Sequence, residues 1–273
     1  MKVLPLLLVF VNVFILVHGH GYLKVPLNRA SLWRDEIPGA PVNYDDNQLF
    51  CGGFQKQWNV NDGRCGICGD DFSLPRPRPY ENTGKMSIGH VVQSYSPGDT
   101  IRVTAEITAS HLGHFEFHLC PLRSPNELEQ EDCFVPLPLA DGSGFEYQVE
   151  TWRTGEYKTK VVLPSNITCE RCVIRWQYTA GNSWGTCSDG TGAVGCGPQE
   201  TFRSCADVSI LPRTTDHVQR HSDKQQLNDF IKKLFPRHEK VEEEMEKYES
   251  EENIRRDTRG ETDSEQGRMR ARA

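Results

Sequence analysis

An apolar segment near the start of the chain ends directly before a histidine. Residues 3–17 are almost wholly apolar, and His20 follows the tripeptide Val17-His18-Gly19. Small residues at positions 17 and 19 are typical of a signal-peptidase site, so we predict cleavage after Gly19. His20 would then carry a free α-amine and an imidazole, which together can chelate one metal ion. Because the α-amine has a pKa of about 8, a metal can displace its proton at neutral pH.

A second histidine would complete a set of three nitrogen donors. Nitrogen ligands in a tetragonal arrangement favour copper, which also binds most tightly among the divalent metals. The candidates in the cysteine-rich part of the chain are His90, His111, His114 and His118. Spacing does not choose among the last three, and H-x-x-H-x-x-x-H could instead form a zinc site. The two-residue period of a strand argues against zinc, because His111 and His114 would face opposite sides.

Ten cysteines indicate an oxidising compartment and five disulfide bonds. Their pairing is open, although two of the loops, Cys120–Cys133 and Cys187–Cys196, are short enough for local bridges. The motifs C-G-I-C and C-E-R-C could instead form zinc knuckles, but they lie far apart among further cysteines, so disulfides are favoured. The ten are Cys51, Cys65, Cys68, Cys120, Cys133, Cys169, Cys172, Cys187, Cys196 and Cys205.

Other features of the sequence fit a secreted, extracellular protein. Asn166-Ile167-Thr168 is an N-glycosylation sequon. The apolar run over residues 3–17 is too short for a membrane span, which needs about 20 residues. The formal net charge of −7 does not favour a nucleic-acid partner. We therefore expect a monomer that binds neither nucleic acid nor a membrane.

A break in composition divides the chain. All ten cysteines and all five tryptophans lie between Trp33 and Cys205, whereas the last sixty or so residues are dominated by charged side chains. We predict a signal peptide over residues 1–19, one domain over residues 20–211, and a charged, mostly flexible tail over residues 212–273.

A two-residue hydrophobic period runs through the second half of the domain. In T-I-R-V-T-A-E-I every second residue is apolar, from Ile101 to Ile107, and H-F-E-F-H-L-C repeats the alternation. The segments F-E-Y-Q-V-E-T-W, K-T-K-V-V-L-P and C-V-I-R-W-Q-Y continue it. The first part, up to about Pro79, is rich in turn residues and predicts long loops pinned by cysteines. The pattern predicts an all-β fold, a β-sandwich.

Several motifs, taken in order, match one known family. They are HGYLKVPLNRASLWR, DNQLFCGGFQ, CGICGD, ASHLGHFEFHLC, RWQYTAGNSWG and GCGPQETFRSCADVSI. Together they resemble the lytic polysaccharide monooxygenases of auxiliary activity family fifteen, best known from insects and other invertebrates. The resemblance covers His20 to about Ile210 and does not cover the tail.

The resemblance implies an immunoglobulin-like or fibronectin-like β-sandwich that binds one copper ion. His20 would supply its amine and imidazole and His111 the third nitrogen, an arrangement called the histidine brace. Ala109 corresponds to the small residue that restricts access above the copper. Phe202 falls on the axial position, where many members have Tyr. Because Phe cannot ligate, the resemblance implies a copper nearer to square-planar.

The implied activity is copper-dependent oxidative cleavage of glycosidic bonds in an insoluble polysaccharide, with chitin favoured and cellulose an alternative. It requires an external electron donor and either hydrogen peroxide or dioxygen as co-substrate. A flat binding face is implied, on which Tyr22, Tyr44 and Trp58 could lie unless they are buried. Hydrolysis by paired carboxylates is the competing catalytic class, although no pair is singled out by its spacing. A non-catalytic secreted chitin-binding or cuticle protein, or a copper-storage protein, remain the alternatives from other classes.

Overall fold

The computed structural model describes residues 20–213 of the protein. The predicted signal peptide and almost all of the predicted tail lie outside the described residues. Within the described range the chain forms strands joined by loops and short helical segments, the latter at Arg29–Asp35, Lys56–Val60 and Glu131–Cys133. No helix in that range is long and apolar enough to span a membrane. The strands are β1 (His20–Val25), β2 (Gln93–Tyr95), β3 (Thr100–Ala109), β4 (His114–Leu122), β5 (Val135–Pro136), β6 (Glu146–Gln148), β7 (Gly155–Val162), β8 (Cys169–Thr179), β9 (Trp184–Thr186), β10 (Gly192–Val194) and β11 (Thr201–Ile210).

Two sheets form the domain, as the alternating pattern predicts. The smaller sheet has the order β1-β3-β7 and is antiparallel throughout. The larger has the order β2-β11-β8-β4-β5, with β6 also paired to β4 and β2 parallel to β11. Strands β9 and β10 form a separate hairpin.

One hydrophobic core joins the two sheets. Ile101, Val103 and Ile107 of β3 are at most 3% exposed, and Phe115 and Phe117 of β4 are equally buried. Alternate residues of a strand share a face, so the apolar side of each sheet faces the other. The prediction of an all-β sandwich is confirmed.

All ten cysteines form disulfide bonds, and the predicted local bridges are both present. The zinc-knuckle alternative is wrong, because the two cysteines of C-G-I-C bond to different partners and those of C-E-R-C bond to each other. The pairs are Cys51–Cys65, Cys68–Cys205, Cys120–Cys133, Cys169–Cys172 and Cys187–Cys196.

The long loop region between β1 and β2 is anchored by buried charges as well as by disulfides. Arg29 donates from Nε and Nη2 to both carboxylate oxygens of Asp207 on β11, at 2.8 and 2.7 Å. Its Nη1 lies 2.6 Å from Glu129. All three side chains are almost fully buried, so removing one partner would leave a buried charge unpaired, at a cost of about 3–5 kcal/mol. This triad fixes the chain that follows β1 onto the larger sheet.

Candidate metal centre

Strand pairing brings His20 beside the segment that contains His111. His20 is the Cα partner of Ala109, the last residue of β3, and His111 follows two residues later. The pairing shifts register between His20 and Gly21, an irregularity of the kind that re-aims side chains at sheet edges. Three of the residues predicted for the site, His20, Ala109 and His111, therefore lie at one end of the sandwich.

The loop between β3 and β4 holds the backbone of His111 in place. The backbone N–H of His111 donates to Tyr178 Oη at 2.8 Å, and its carbonyl accepts from the N–H of Gly181 at 2.9 Å. Gly113 adopts φ +89°, and a Cβ there would overlap the carbonyl oxygen of Thr179. A glycine is required because both the conformation and the close approach exclude a side chain.

Part of the sequence predicted as a strand supports this loop instead. The segment F-E-Y-Q-V-E-T-W forms a strand only over Glu146–Gln148. Beyond it, the N–H of Val149 donates to the carbonyl of Gly113 at 2.8 Å, and Ser110 Oγ donates to the carbonyl of Thr151 at 2.9 Å. The prediction of a longer strand is wrong because these backbone groups bond to the loop.

One ring nitrogen of His111, Nδ1, lies in the protein interior. The residue is 5% exposed, and its Nδ1 is buried without a hydrogen-bond partner within the protein. A carboxylate oxygen, Glu200 Oε2, lies 3.6 Å from Nδ1. Histidines that bind a metal through one nitrogen usually direct the other N–H at a carboxylate or carbonyl. A buried Nδ1 facing Glu200 therefore fits an imidazole that ligates through Nε2.

Sequence reasoning missed Glu200. It lies directly before β11 and reaches His111 because its carbonyl accepts from the N–H of Ala180 at the end of β8, at 2.9 Å. No spacing rule links residues 111 and 200. The signal that could have found Glu200 is its place in the motif E-T-F-R-S-C-A-D-V, two residues before Phe202.

Phe202 is a core residue connected to His111 through Tyr178. It is fully buried on β11, where its cross-strand partner on β8 is Tyr178. The two rings stack with centroids 5.6 Å apart and an interplanar angle of 25°. Tyr178 is the residue whose hydroxyl binds the His111 N–H. Burial raises the pKa of Tyr178 to about 12, so this hydroxyl stays protonated.

The histidine-only zinc alternative is wrong. His114 and His118 lie on β4 on either side of Glu116, with each Nε2 3.9 Å from that carboxylate, whereas His111 faces Glu200. Among residues 20–213 no three His, Cys, Asp or Glu side chains come together as a possible metal site. A brace is not subject to this exclusion, because it needs two histidine side chains and one amine.

Of the three aromatic residues predicted as possible surface contacts, one is exposed. Tyr22 is 7% exposed, and Trp58 donates its Nε1 to the carbonyl of Gln199 at 2.8 Å. Tyr44 is 80% exposed. Sequence reasoning did not select Trp184, which is 70% exposed on β9, three residues after the Gly181 that binds His111.

The glycosylation sequon lies on the surface. Asn166 is exposed in the turn before β8, and residue 167 packs against the core. An asparagine in an exposed turn is accessible to modification, which remains a prediction for this chain.

Comparison with known proteins places the chain in a family. A family model described as lytic polysaccharide mono-oxygenase, cellulose-degrading, matches residues 20–208. The AA15 lytic polysaccharide monooxygenase from Thermobia domestica, whose structure is in the Cu(I) state, is 49% identical and has a TM-score of 0.69. The similarity covers 70% of this chain and 98% of that one.

A second structure, LPMO10B from Micromonospora aurantiaca, is 13% identical over 70% of this chain and 100% of its own, with a TM-score of 0.39. That similarity is too low to support an argument. No curated protein matches the sequence. The family model and the Thermobia structure are sufficient: the chain belongs to the lytic polysaccharide monooxygenases, copper-dependent enzymes that cleave polysaccharides oxidatively, and within them to family AA15.

Proposed function

We propose that the mature protein begins at His20 and binds copper through the α-amine and imidazole of His20 and the imidazole of His111. The observation that carries this proposal is the pairing of His20 with Ala109, which brings the N-terminal histidine to the segment containing His111. When bound, copper supplies the one-electron chemistry toward dioxygen or hydrogen peroxide that no amino-acid side chain provides.

The protein's own residues would hold this site ready. Glu200, whose Oε2 lies 3.6 Å from His111 Nδ1, would attract the Nδ1–H electrostatically and leave Nε2 as the donor to copper, and Tyr178 would fix the His111 backbone. Ala109 has the small side chain expected beside an access route. Phe202 offers no ligand atom, so it would supply no donor to the copper.

We propose chitin as the substrate, reached through an exposed face rather than a deep pocket. Tyr44 is exposed three residues before Asn47, whose carbonyl accepts from the N–H of Gly21. Trp184 is exposed three residues after Gly181, whose N–H donates to His111. Flat aromatic rings can stack on sugar rings, which would place the polysaccharide across the site. The family model's description names cellulose, so both polymers belong in the test.

The test is mass spectrometry of soluble products. Crystalline chitin or cellulose is incubated with protein beginning at His20, plus copper and ascorbate. Oxidised oligosaccharides that disappear without the reductant, and also disappear when one residue is added before His20, are the expected result. The added residue moves the amine out of chelating reach while leaving every other residue unchanged.

Two outcomes would contradict parts of the proposal. Undiminished activity in the extended protein, or in a His111→Ala variant, would contradict copper binding by the histidine brace. Copper binding without oxidised products from either polymer would favour the non-catalytic binding protein.

We further propose that the protein is secreted as a monomer after removal of residues 1–19 and carries a glycan on Asn166. N-terminal sequencing of the secreted protein should begin at His20, and a glycosidase should lower its mass unless Asn166 is replaced by Gln.

A further inference from the structure

A second site lies across the larger sheet from Phe202. Phe202 faces the core, so its neighbour Arg203 points to the opposite side of β11. There a cavity of about 510 Å³, within the usual size of small-molecule sites, opens beneath the loop region. We call it the arginine cavity, and its charged and aromatic lining consists of Arg64, Phe72, Arg76, Arg78, Glu131 and Arg203.

Neighbouring groups of the protein hold the guanidinium groups of the cavity in position. Those of Arg64 and Arg78 lie over the ring of Phe72, with Cζ at 4.5 and 4.7 Å from its centroid. Arg76 donates to Gln130 Oε1 at 3.0 Å and to the carbonyl of residue 129 at 2.5 Å. Fixed donors lose little freedom when they bind a ligand.

On one side of the cavity, two arginines share one carboxylate. Glu81 is fully buried, and its oxygens accept from Arg76 Nε at 2.8 Å and Arg78 Nη1 at 2.6 Å. The side chain of Arg78 is only 6% exposed, and its buried Nε has no hydrogen-bond partner within the protein.

On the other side the arrangement repeats. Glu131 lies 2.8 Å from Arg175 Nη1 and 3.2 Å from Arg203 Nη1. These four arginines face three carboxylates, because Glu116 on β4 also acts on Arg175 and Arg203, which leaves one positive charge in excess.

The titration of nearby groups agrees with an excess of positive charge. Burial lowers the pKa of Arg203, and burial together with the charge of Arg203 lowers the pKa of Arg175 to about 10. Burial and then the same two arginines lower the pKa of His118 to about 4. The excess is local, because the whole chain has a formal net charge of −7.

We propose that the arginine cavity binds a small oxyanion, phosphate or sulfate, either free or as an ester on a sugar. Guanidinium groups match the geometry of such anions through pairs of parallel hydrogen bonds. A bound anion would balance the positive charge that Glu81, Glu116 and Glu131 leave uncompensated. The site is separate from the copper site and does not depend on the proposed substrate.

The test is isothermal titration calorimetry of the copper-loaded protein that begins at His20. Sodium phosphate and sodium sulfate are titrated, with sodium chloride at matched ionic strength as the control. Glucose 6-sulfate and glucose form a second arm. Saturable binding of phosphate or sulfate above chloride is expected, and tighter binding of the sugar ester than of sulfate would identify an ester as the preferred form.

Three variants test the assignment to this cavity. Arg64→Gln, on a side chain that is 56% exposed, should weaken anion binding about tenfold, as expected for one lost charge-assisted contact. Glu131→Gln should strengthen it, because a competing carboxylate is removed. Arg102→Gln, an equal change of charge on the exposed side of β3, should bind as the unmodified protein does.

The proposal is overturned if no anion binds above chloride. It is also overturned if Arg64→Gln and Arg102→Gln bind alike, or if Glu131→Gln weakens binding while its circular dichroism is unchanged. Polysaccharide oxidation by Arg64→Gln should remain normal, so failure here is distinguishable from failure of the proposed function.

Discussion

At the scale of single residues, Glu200 is the group that the structure adds to the site. A carboxylate beside Nδ1 keeps a neutral imidazole in one tautomer and one orientation, which matters most when the other nitrogen must reach a metal. Replacing Glu200 should therefore lower copper affinity more than it lowers the free energy of unfolding.

We expect Glu200→Gln to weaken copper binding about 10-fold, the lower end of the range found when a group that orients a metal-ligating histidine is changed, because Glu200 Oε2 lies 3.6 Å from His111 Nδ1, beyond hydrogen-bond distance. Competition with a chelator of known affinity measures the effect. Glu170→Gln, an exposed change on β8, is the matched control. Equal copper affinities in the two variants would show that Glu200 does not position His111.

Phe202→Tyr tests whether residue 202 lies beside the copper. The added hydroxyl should change the electron paramagnetic resonance spectrum of the Cu(II) protein while copper affinity changes little, because the three proposed nitrogen ligands remain. If the spectrum is identical to that of the unmodified protein, Phe202 lies away from the copper. Thermal unfolding should accompany the measurement, since the ring is fully buried against Tyr178.

The histidines of the site could be proposed from the sequence, but their partners could not. His20 stands out because cleavage would create a chelating residue, a property readable from neighbouring residues alone. His111 required the family resemblance, because spacing left His114 and His118 equal to it. Glu200 could not be found by local reasoning, because only the pairing of β8 with β11 brings it to His111.

At the scale of elements, the loop between β3 and β4 is the part on which the site depends most. It is compressed between β8 and the segment after β6, and Gly113 is its tightest point. The loop thus transmits the rigidity of the larger sheet to His111.

Gly113→Ala should lower both stability and copper affinity. A Cβ at this position would overlap the Thr179 carbonyl, and overpacking of this kind costs about 1–3 kcal/mol. Gly142→Ala is the control, because Gly142 has a similar φ of +80° but nothing within 4 Å of an added Cβ. Chemical denaturation and copper titration of both variants should separate the effect of the Cβ overlapping the Thr179 carbonyl from the effect of a positive φ on alanine. Equal effects of the two changes would contradict the role given to the loop.

Strands were predicted correctly where buried and exposed residues alternate. The prediction was wrong where backbone groups form hydrogen bonds to a distant loop instead of to a neighbouring strand. The β3 pattern is unambiguous, since every second residue from Ile101 to Ile107 is buried. The segment after Phe145 has the same alternation, yet it ends as a strand at Gln148, because its backbone groups bond to Ser110 and Gly113. The strand propensity of a segment does not depend on hydrogen-bond partners that are distant in the chain, so it could not predict where this strand ends.

At the scale of the molecule, the disulfides differ in how much chain they constrain. Cys68–Cys205 joins residues 137 apart, and Cys187–Cys196 joins residues 9 apart. Loop entropy predicts that the longer closure stabilises the fold by about 2 kcal/mol more.

Replacing Cys68 and Cys205 together by Ala should therefore lower Tm more than replacing Cys187 and Cys196. A difference of roughly 4–8 °C is expected for a domain of this size. Differential scanning calorimetry at equal protein concentration measures it. An equal or larger loss in the Cys187 and Cys196 variant would show that the long closure contributes less than chain entropy predicts.

Strand β1 is at the edge of its sheet, and its one neighbouring strand there is β3. Edge strands open at a fraction of the free energy of global unfolding, so their amides exchange with deuterium sooner than those of central strands. If His20 holds copper, the same local opening would release the metal while the rest of the domain stays folded. The dissociation rate of copper should then follow the exchange rate of the β1 amides, and metal binding should slow that exchange.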